Sequence, residues 1–150
     1  MKKYLGVKMI EAEPMNLGDY NQFRGWKIPD DEDPEREGYR VVYPDGYVSW
    51  SPREAFEQAY FEFVGANAVT QEDVDNFIVE IDTSEWKEKT TVVHATLKNG
   101  FTITESSSCV DPANYDFEIG RDICIENIKN KIWNHLGFLL QCGMFGFKAD

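Results

Sequence analysis

The chain is poor in histidine, cysteine and positive charge, and each shortage excludes a class of chemistry. Its two histidines, His94 and His135, lie in unrelated settings. Neither a Ser–His triad nor the clustered His and Asp ligands that phosphoester hydrolysis generally uses is therefore indicated. Three cysteines, Cys109, Cys124 and Cys142, are widely spaced and odd in number. That fits reduced packing thiols better than a disulfide framework or a zinc site. Lys and Arg number 15 against 27 Asp and Glu, and the net charge of -12 repels phosphate backbones. General nucleic-acid binding is excluded, and any nucleotide bound here must be met by a local cluster of donors. No apolar run approaches the length of about 18 residues that can span a bilayer. The start Met1-Lys2-Lys3-Tyr4 lacks the apolar stretch of a signal peptide. These absences predict a cytosolic protein with no membrane attachment.

What is present is ordinary globular material. With 150 residues, 42% apolar and 14% aromatic, the chain can bury a real core and is long enough for one domain plus a small module. Residues 1–64 read as the module. Tyr4 to Ala12 alternates loosely like a strand. Tyr39–Tyr43 and Tyr47–Trp50 flank Pro44-Asp45-Gly46, a turn in which Pro pre-sets φ and Gly supplies the left-handed position. Ser51-Pro52-Arg53-Glu54 has the form of a capping box and predicts a helix Pro52–Phe61 with Ala55, Phe56, Ala59 and Tyr60 inward. The outline is ββ(β)α. Between the first strand and the hairpin, Pro29 to Glu35 is an acidic, Pro-bounded run that reads as a solvated loop. It lacks the Gly and the spaced bidentate Glu of a calcium loop.

Residues 65–150 form the second region, after a link at Val64–Ala68. Thr70 caps a helix with Asp73 at the reciprocal position, and Val74, Phe77, Ile78 and Ile81 follow at helical spacing. The chain turns extended after Thr83-Ser84-Glu85. Thr91, Val93, Ala95 and Leu97 then share one face of a strand, with Val92, His94, Thr96 and Lys98 on the other. Asn99-Gly100 closes a hairpin to a second strand beginning at Phe101, because both turn residues accept positive φ. From Asn114 or Asp116 to Leu140 a long helix carries Ile119, Ile123, Ile125, Ile128, Ile132, Trp133, Leu136, Leu139 and Leu140. That band is wider than one hairpin can cover, so the helix is expected to touch the sheet and a second copy of the chain. Cys142 to Phe147 reads as an apolar, helix-breaking tail. The expected class is α+β: the small ββ(β)α module, then helix, antiparallel hairpin and long carboxy-terminal helix.

Lys98 to Arg121 holds the densest polar grammar. Ser106, Ser107, Ser108, Cys109, Asp111 and Asn114 lie between a strand and a helix, as a capping and turn device or as the holder of a polar ligand. This stretch, with T-T-V-V-H-A-T-L before it and K-N-K-I-W after it, closely resembles a widespread family of short bacteriophage and prophage proteins over roughly residues 68–142. Residues 1–64, from K-Y-L-G-V-K to S-W-S-P-R-E-A-F, resemble a small phage module found ahead of other phage domains. The second region is also similar to the Thoeris anti-defense proteins that sequester cyclic ADP-ribose signals. The resemblance implies a hairpin packed on helices, a homo-oligomer, and a pocket for a small cyclic nucleotide in the host cytoplasm, with no cofactor and no metal.

Such a ligand presents a base, ribose hydroxyls and phosphate. Phe101 either stacks on the base, worth about 1–3 kcal/mol in single-strand binders, or packs across the strands. Asn114 either reads a base edge or, like Asp116, caps the helix. Glu105 and Asp111 can accept from ribose hydroxyls, although Asp111-Pro112 also starts a turn and Glu105 can pair with Arg121 on the surface. Arg121, Lys98 and free N–H groups around Ser107 would supply the positive field for phosphate. Three functions follow from this: a sponge that captures a nucleotide immune signal without turnover, a phage factor that binds and inhibits a host protein, or a nucleotide phosphodiesterase. Acidity is spread over both regions, with 13 acids to eight bases in residues 1–64 and 14 to seven in residues 65–150. Spread charge favours solubility over a single mimicry face.

Overall fold

The computed structural model describes residues 1–148. The chain divides into two compact units, Met1–Glu62 together with the residues from Gly143 onward, and Phe63–Cys142. The sequence alone placed the division after residue 64 and left the tail with the second region. In the first unit Gly143 lies against Met9 and Val7.

The first unit is a three-stranded antiparallel sheet in the order β1 (Glu11–Pro14), β2 (Gly38–Val42), β3 (Val48–Pro52). The hairpin around Pro44-Asp45-Gly46 forms as expected, with Gly46 at φ 88°. Its first strand is shorter and later than the alternation suggested, at Glu11–Pro14 rather than Tyr4–Ala12. Helix α1 (Leu17–Arg24), which the periodicity did not reveal, follows it and is capped by Asn16. The expected capping box at Ser51 does not form. Ser51 is paired with Tyr39 inside β3, so α2 (Arg53–Ala59) begins after Pro52 with no side-chain cap. On α2 only Phe56 is partly covered, stacking on Tyr39 at 4.0 Å; Ala55 and Ala59 are exposed.

In the second unit the capping box of α3 (Gln71–Asn76) is present as read. The helix stops at Asn76, however, and Ile78 and Ile81 belong to β4 (Ile78–Trp86). The expected hairpin is therefore a three-stranded antiparallel sheet in the order β4, β5 (Thr90–Leu97), β6 (Thr102–Ser108). β4 is joined to β5 through Lys87 and Glu88, which take φ of 54° and 67°. Thr91, Val93, Ala95 and Leu97 are buried as their alternation predicts. His94, on the other face, meets Thr104 directly across the ladder at 2.7 Å.

A 3-10 turn (Pro112–Asn114) leads into α4 (Phe117–Phe145), whose first amides are capped by Asp116 Oδ1, 3.0 Å from Glu118 N and 3.2 Å from Ile119 N. α4 runs 29 residues and continues through Gly137 and Gly143, so the segment read as a helix-breaking tail is helical as far as Phe145. Gly120, Cys124, Ile128, Ile132 and Leu136 are its buried stripe in the second unit. All but the glycine pack with Val74, Val93, Ala95, Leu97 and Ile103 in one core. At its start the helix comes so close to the sheet that a Cβ on Gly120 would lie 2.8 Å from Thr91 Cβ. No described helix is long and apolar enough to cross a membrane.

Asp73 anchors the entry to this unit. Its carboxylate accepts from Val64 N (2.6 Å), Gly65 N (3.0 Å), Thr70 N (3.0 Å) and Thr70 Oγ1 (2.7 Å). Burial pushes its pKa up, but the Thr70 hydroxyl and three amides outweigh this and hold it below the ordinary 3.8. A depressed carboxylate contributes its stability in full above the unfolded value and loses it as the pH falls through the folded one. Unfolding free energy should therefore be level from pH 7 to about 5 and fall on further acidification below about pH 4. Urea titrations across that range check this. Asp73→Asn should lower stability by about 1–3 kcal/mol at pH 7 and flatten the acid limb.

Candidate functional site

The buried stripe of α4 faces the sheet, which leaves two flanks of the helix beside the two edge strands. On the β6 flank, Lys131 Nζ is ion-paired with Glu105, and His135 sits edge-on to Phe101 with ring centroids 5.8 Å apart. On the β4 flank, Lys129 Nζ is 2.9 Å from Asp75 Oδ1. There Arg121, Ile125 and Lys129 face Ile78, Glu80 and Ile81 across an open groove of about 550 Å³. Arg121 is half-buried and has no carboxylate partner among the described residues. It is also the sole arginine of the second unit. The groove thus places one uncommitted guanidinium beside Ile78, Val79, Ile81 and Ile125, with the carboxylates of Asp75, Glu80 and Asp122 in the same lining as hydrogen-bond acceptors.

Among the described residues, α4 and the loop before it are locked to β5 through Thr91. The hydroxyl of Thr91, wholly buried, meets Tyr115 Oη at 2.7 Å, and its carbonyl is 3.7 Å from Cys124 Sγ. Burial pushes the Cys124 thiol up, and the Glu105 carboxylate adds to this, so it is a packing group rather than a thiolate nucleophile.

The segment that supplies most of the sequence-derived site residues is spread out by the strand. Phe101 is exposed just before β6 and Ser107 lies near the end of that strand, opposite Thr91. Six residue steps along the strand separate them by about 20 Å. Ser106, Ser107 and Ser108 are not loop residues but ladder partners of Val92, Thr91 and Thr90. Asp111 is exposed, and its carboxylate accepts from Ala113 N at 2.9 Å, the turn-starting role. Asn114 is exposed at the end of the 3-10 turn, where its backbone N–H donates to Asp111 O at 2.9 Å. Glu105 pairs with Lys131 and not with Arg121. Lys98, exposed after β5, donates its backbone N–H to Phe77 O at 2.9 Å. Ser107 lies across the ladder from Thr91, the residue on which Gly120 of α4 packs, while Phe101 and Arg121 fall on opposite flanks of that helix. The groove residues Ile125 and Lys129 were missed, although their spacing of four and eight from Arg121 marks one helical flank.

Residues 69–144 match the model of the phage protein (N4 Gp49/phage Sf6 gene 66) family. The chain belongs to that family. No curated protein and no solved structure matches it. The part shared with the N4 Gp49/Sf6 gene 66 family runs from α3 through almost the whole of α4, so the Arg121 groove lies inside it.

Because Arg121 holds no ion pair, removing it costs the fold little. Arg121→Ala should change stability by less than about 0.5 kcal/mol, the range of surface substitutions away from structural contacts, as thermal melts would register.

Proposed function

We propose that this phage family member is a binding protein that captures a small anionic nucleotide signal, of the cyclic ADP-ribose or cyclic oligonucleotide type, and releases it unchanged. The observation that carries the reading is Arg121, an uncommitted guanidinium in a groove of about 550 Å³ in a chain of net charge -12. Two other cations of α4, Lys129 and Lys131, are each held by a carboxylate, whereas Arg121 is not. A planar guanidinium kept free beside apolar side chains suits a phosphate with an adjoining base. Asp122 and Glu80 suit ribose hydroxyls.

Capture at about nanomolar Kd requires about 12 kcal/mol, more than one open groove supplies. A homo-oligomer would enclose the ligand. The outward face of α4 carries Ile119, Ile123 and Phe138, exposed by 60%, 44% and 71%, and a second copy would cover them. Covering that apolar surface drives association, which in turn brings residues such as Phe101 from another copy within reach of the ligand.

Incubation with cyclic ADP-ribose isomers and cyclic oligonucleotides should raise the melting temperature for at least one of them, and heating should return that ligand intact. An altered ligand would end the sponge reading. No shift with any ligand, together with capture of one host protein from lysate, would replace it with host-protein inhibition. Arg121→Ala should weaken binding by more than about tenfold in calorimetry, since a lost charge-assisted hydrogen bond costs about 1.5–3 kcal/mol. Phe138→Glu should shift light-scattering mass toward the monomer; an unchanged mass would remove α4 from the interface.

A further inference from the structure

The first unit holds a cavity of its own, of about 500 Å³, built from residues that share nothing with the Arg121 groove. Its making starts at α1. Gly25 ends that helix at φ 72° and turns the chain so that Trp26 comes back edge-on to Tyr20, with ring centroids 6.0 Å apart and planes at 81°. Gly18 lets α1 press on the following loop, since a Cβ there would lie 2.7 Å from Pro34 Cβ. That approach sets Glu32, from the acidic run read as a solvated loop, 3.0 Å from Asn21 Nδ2. β3 forms the remaining wall. Trp50 donates its indole N–H to Met15 O at 2.7 Å, which fixes the ring.

Three features of this cavity bear on what it could hold. The first is Asn21, only 6% exposed, whose amide is oriented by the Glu32 carboxylate. With the NH2 group turned to Glu32, the carbonyl oxygen and the second N–H remain as an acceptor and donor pair at the cavity wall. The second is charge. Arg24 lies 4.8 Å over Trp26 and 5.9 Å over Tyr20, and neither it nor Lys27 has a carboxylate partner among the described residues. A stacked guanidinium keeps its edge N–H groups free for an anion. The third is aromatic exposure, with Trp26 at 54% and Tyr47 at 63% beside the same cavity.

The β3 edge adds backbone groups. Tyr43 N donates to Tyr47 O and Arg53 N to Glu37 O. With the observed register and the alternation of an antiparallel ladder, Val48 and Trp50 therefore turn their N–H and C=O away from β2. Both residues line the cavity.

We propose that this cavity is a second binding site, for a nucleoside monophosphate. Trp26 and Tyr47 supply stacking faces, and Asn21 with the β3 edge reads the base. Glu32 accepts from a ribose hydroxyl, and Arg24 and Lys27 take the phosphate. The volume lies in the usual range of about 300–1,000 Å³ for small-molecule sites. A cationic ligand, which aromatic walls also attract, would meet two unpaired cations.

The test is titration of the full chain with AMP, GMP, CMP and UMP, followed by calorimetry and tryptophan fluorescence. At least one nucleotide should bind saturably with a Kd below about 1 mM. Arg24→Ala and Lys27→Ala, both surface changes, should each weaken it more than fivefold, while Trp26→Phe should retain it and Trp26→Ala should lose it. The matching nucleoside should bind more than tenfold more weakly than its monophosphate. Arg121→Ala should leave this binding unchanged, which separates it from the groove of the second unit. No saturable binding of any of the four up to about 10 mM, binding indifferent to Arg24 and Lys27, or equal binding of the nucleoside would overturn the assignment. So would loss of binding in Arg121→Ala alone.

Discussion

The second unit depends on a contact that only glycine permits. α4 starts with Gly120 pressed on Thr91, where any Cβ would collide. Thr91 is wholly buried, so its hydroxyl must be satisfied, and Tyr115 meets it at 2.7 Å. One strand residue thereby fixes the loop after β6, the start of α4 and the closeness of helix to sheet. From that starting point, every fourth residue of α4 from Cys124 to Leu136 turns toward the core. The two flanks are then determined: Arg121 and Lys129 stand over β4, and Lys131 and His135 over β6.

Much of this frame was legible because local rules and tertiary packing agree. The Asn99-Gly100 hairpin, the Thr70 and Asp73 capping box and the alternation of Thr91 to Leu97 each state one structure at every level. The misreadings arise where two patterns overlap. Ile78 and Ile81 are three residues apart, a helical interval, yet they belong to a strand whose register slips between Ile78 and Glu80. That irregularity breaks the period of two that would have revealed β4. Ser51 has the form of a cap but is held by Tyr39 in the ladder. α1 is short and buries only Gly18, Tyr20 and Asn21, too few apolar positions to make a stripe.

The functional residues were legible by type but not by place. A run of neighbours in sequence becomes a line about 20 Å long once it is a strand, so proximity along Phe101 to Ser107 did not mean convergence. Arg121 stood out as an isolated cation in an acidic region, and its groove partners could have been found by extending its helical flank to Ile125 and Lys129. In the first unit the aromatic residues announce themselves in composition. Their arrangement does not, because it requires the left-handed Gly25 and the press of Gly18 on Pro34.

The residues from Gly143 onward are counted with the first unit, where Gly143 lies against Val7 and Met9. That contact joins residues far apart in the chain, unlike the strand pairings of either sheet. The sheet of the second unit is a meander of neighbours, β4 to β5 to β6, and can form as the chain emerges. The sheet of the first unit, β1 to β2 to β3, is likewise local in the chain and can form early. Only the contact of Gly143 with Val7 and Met9 has to wait for the end of α4.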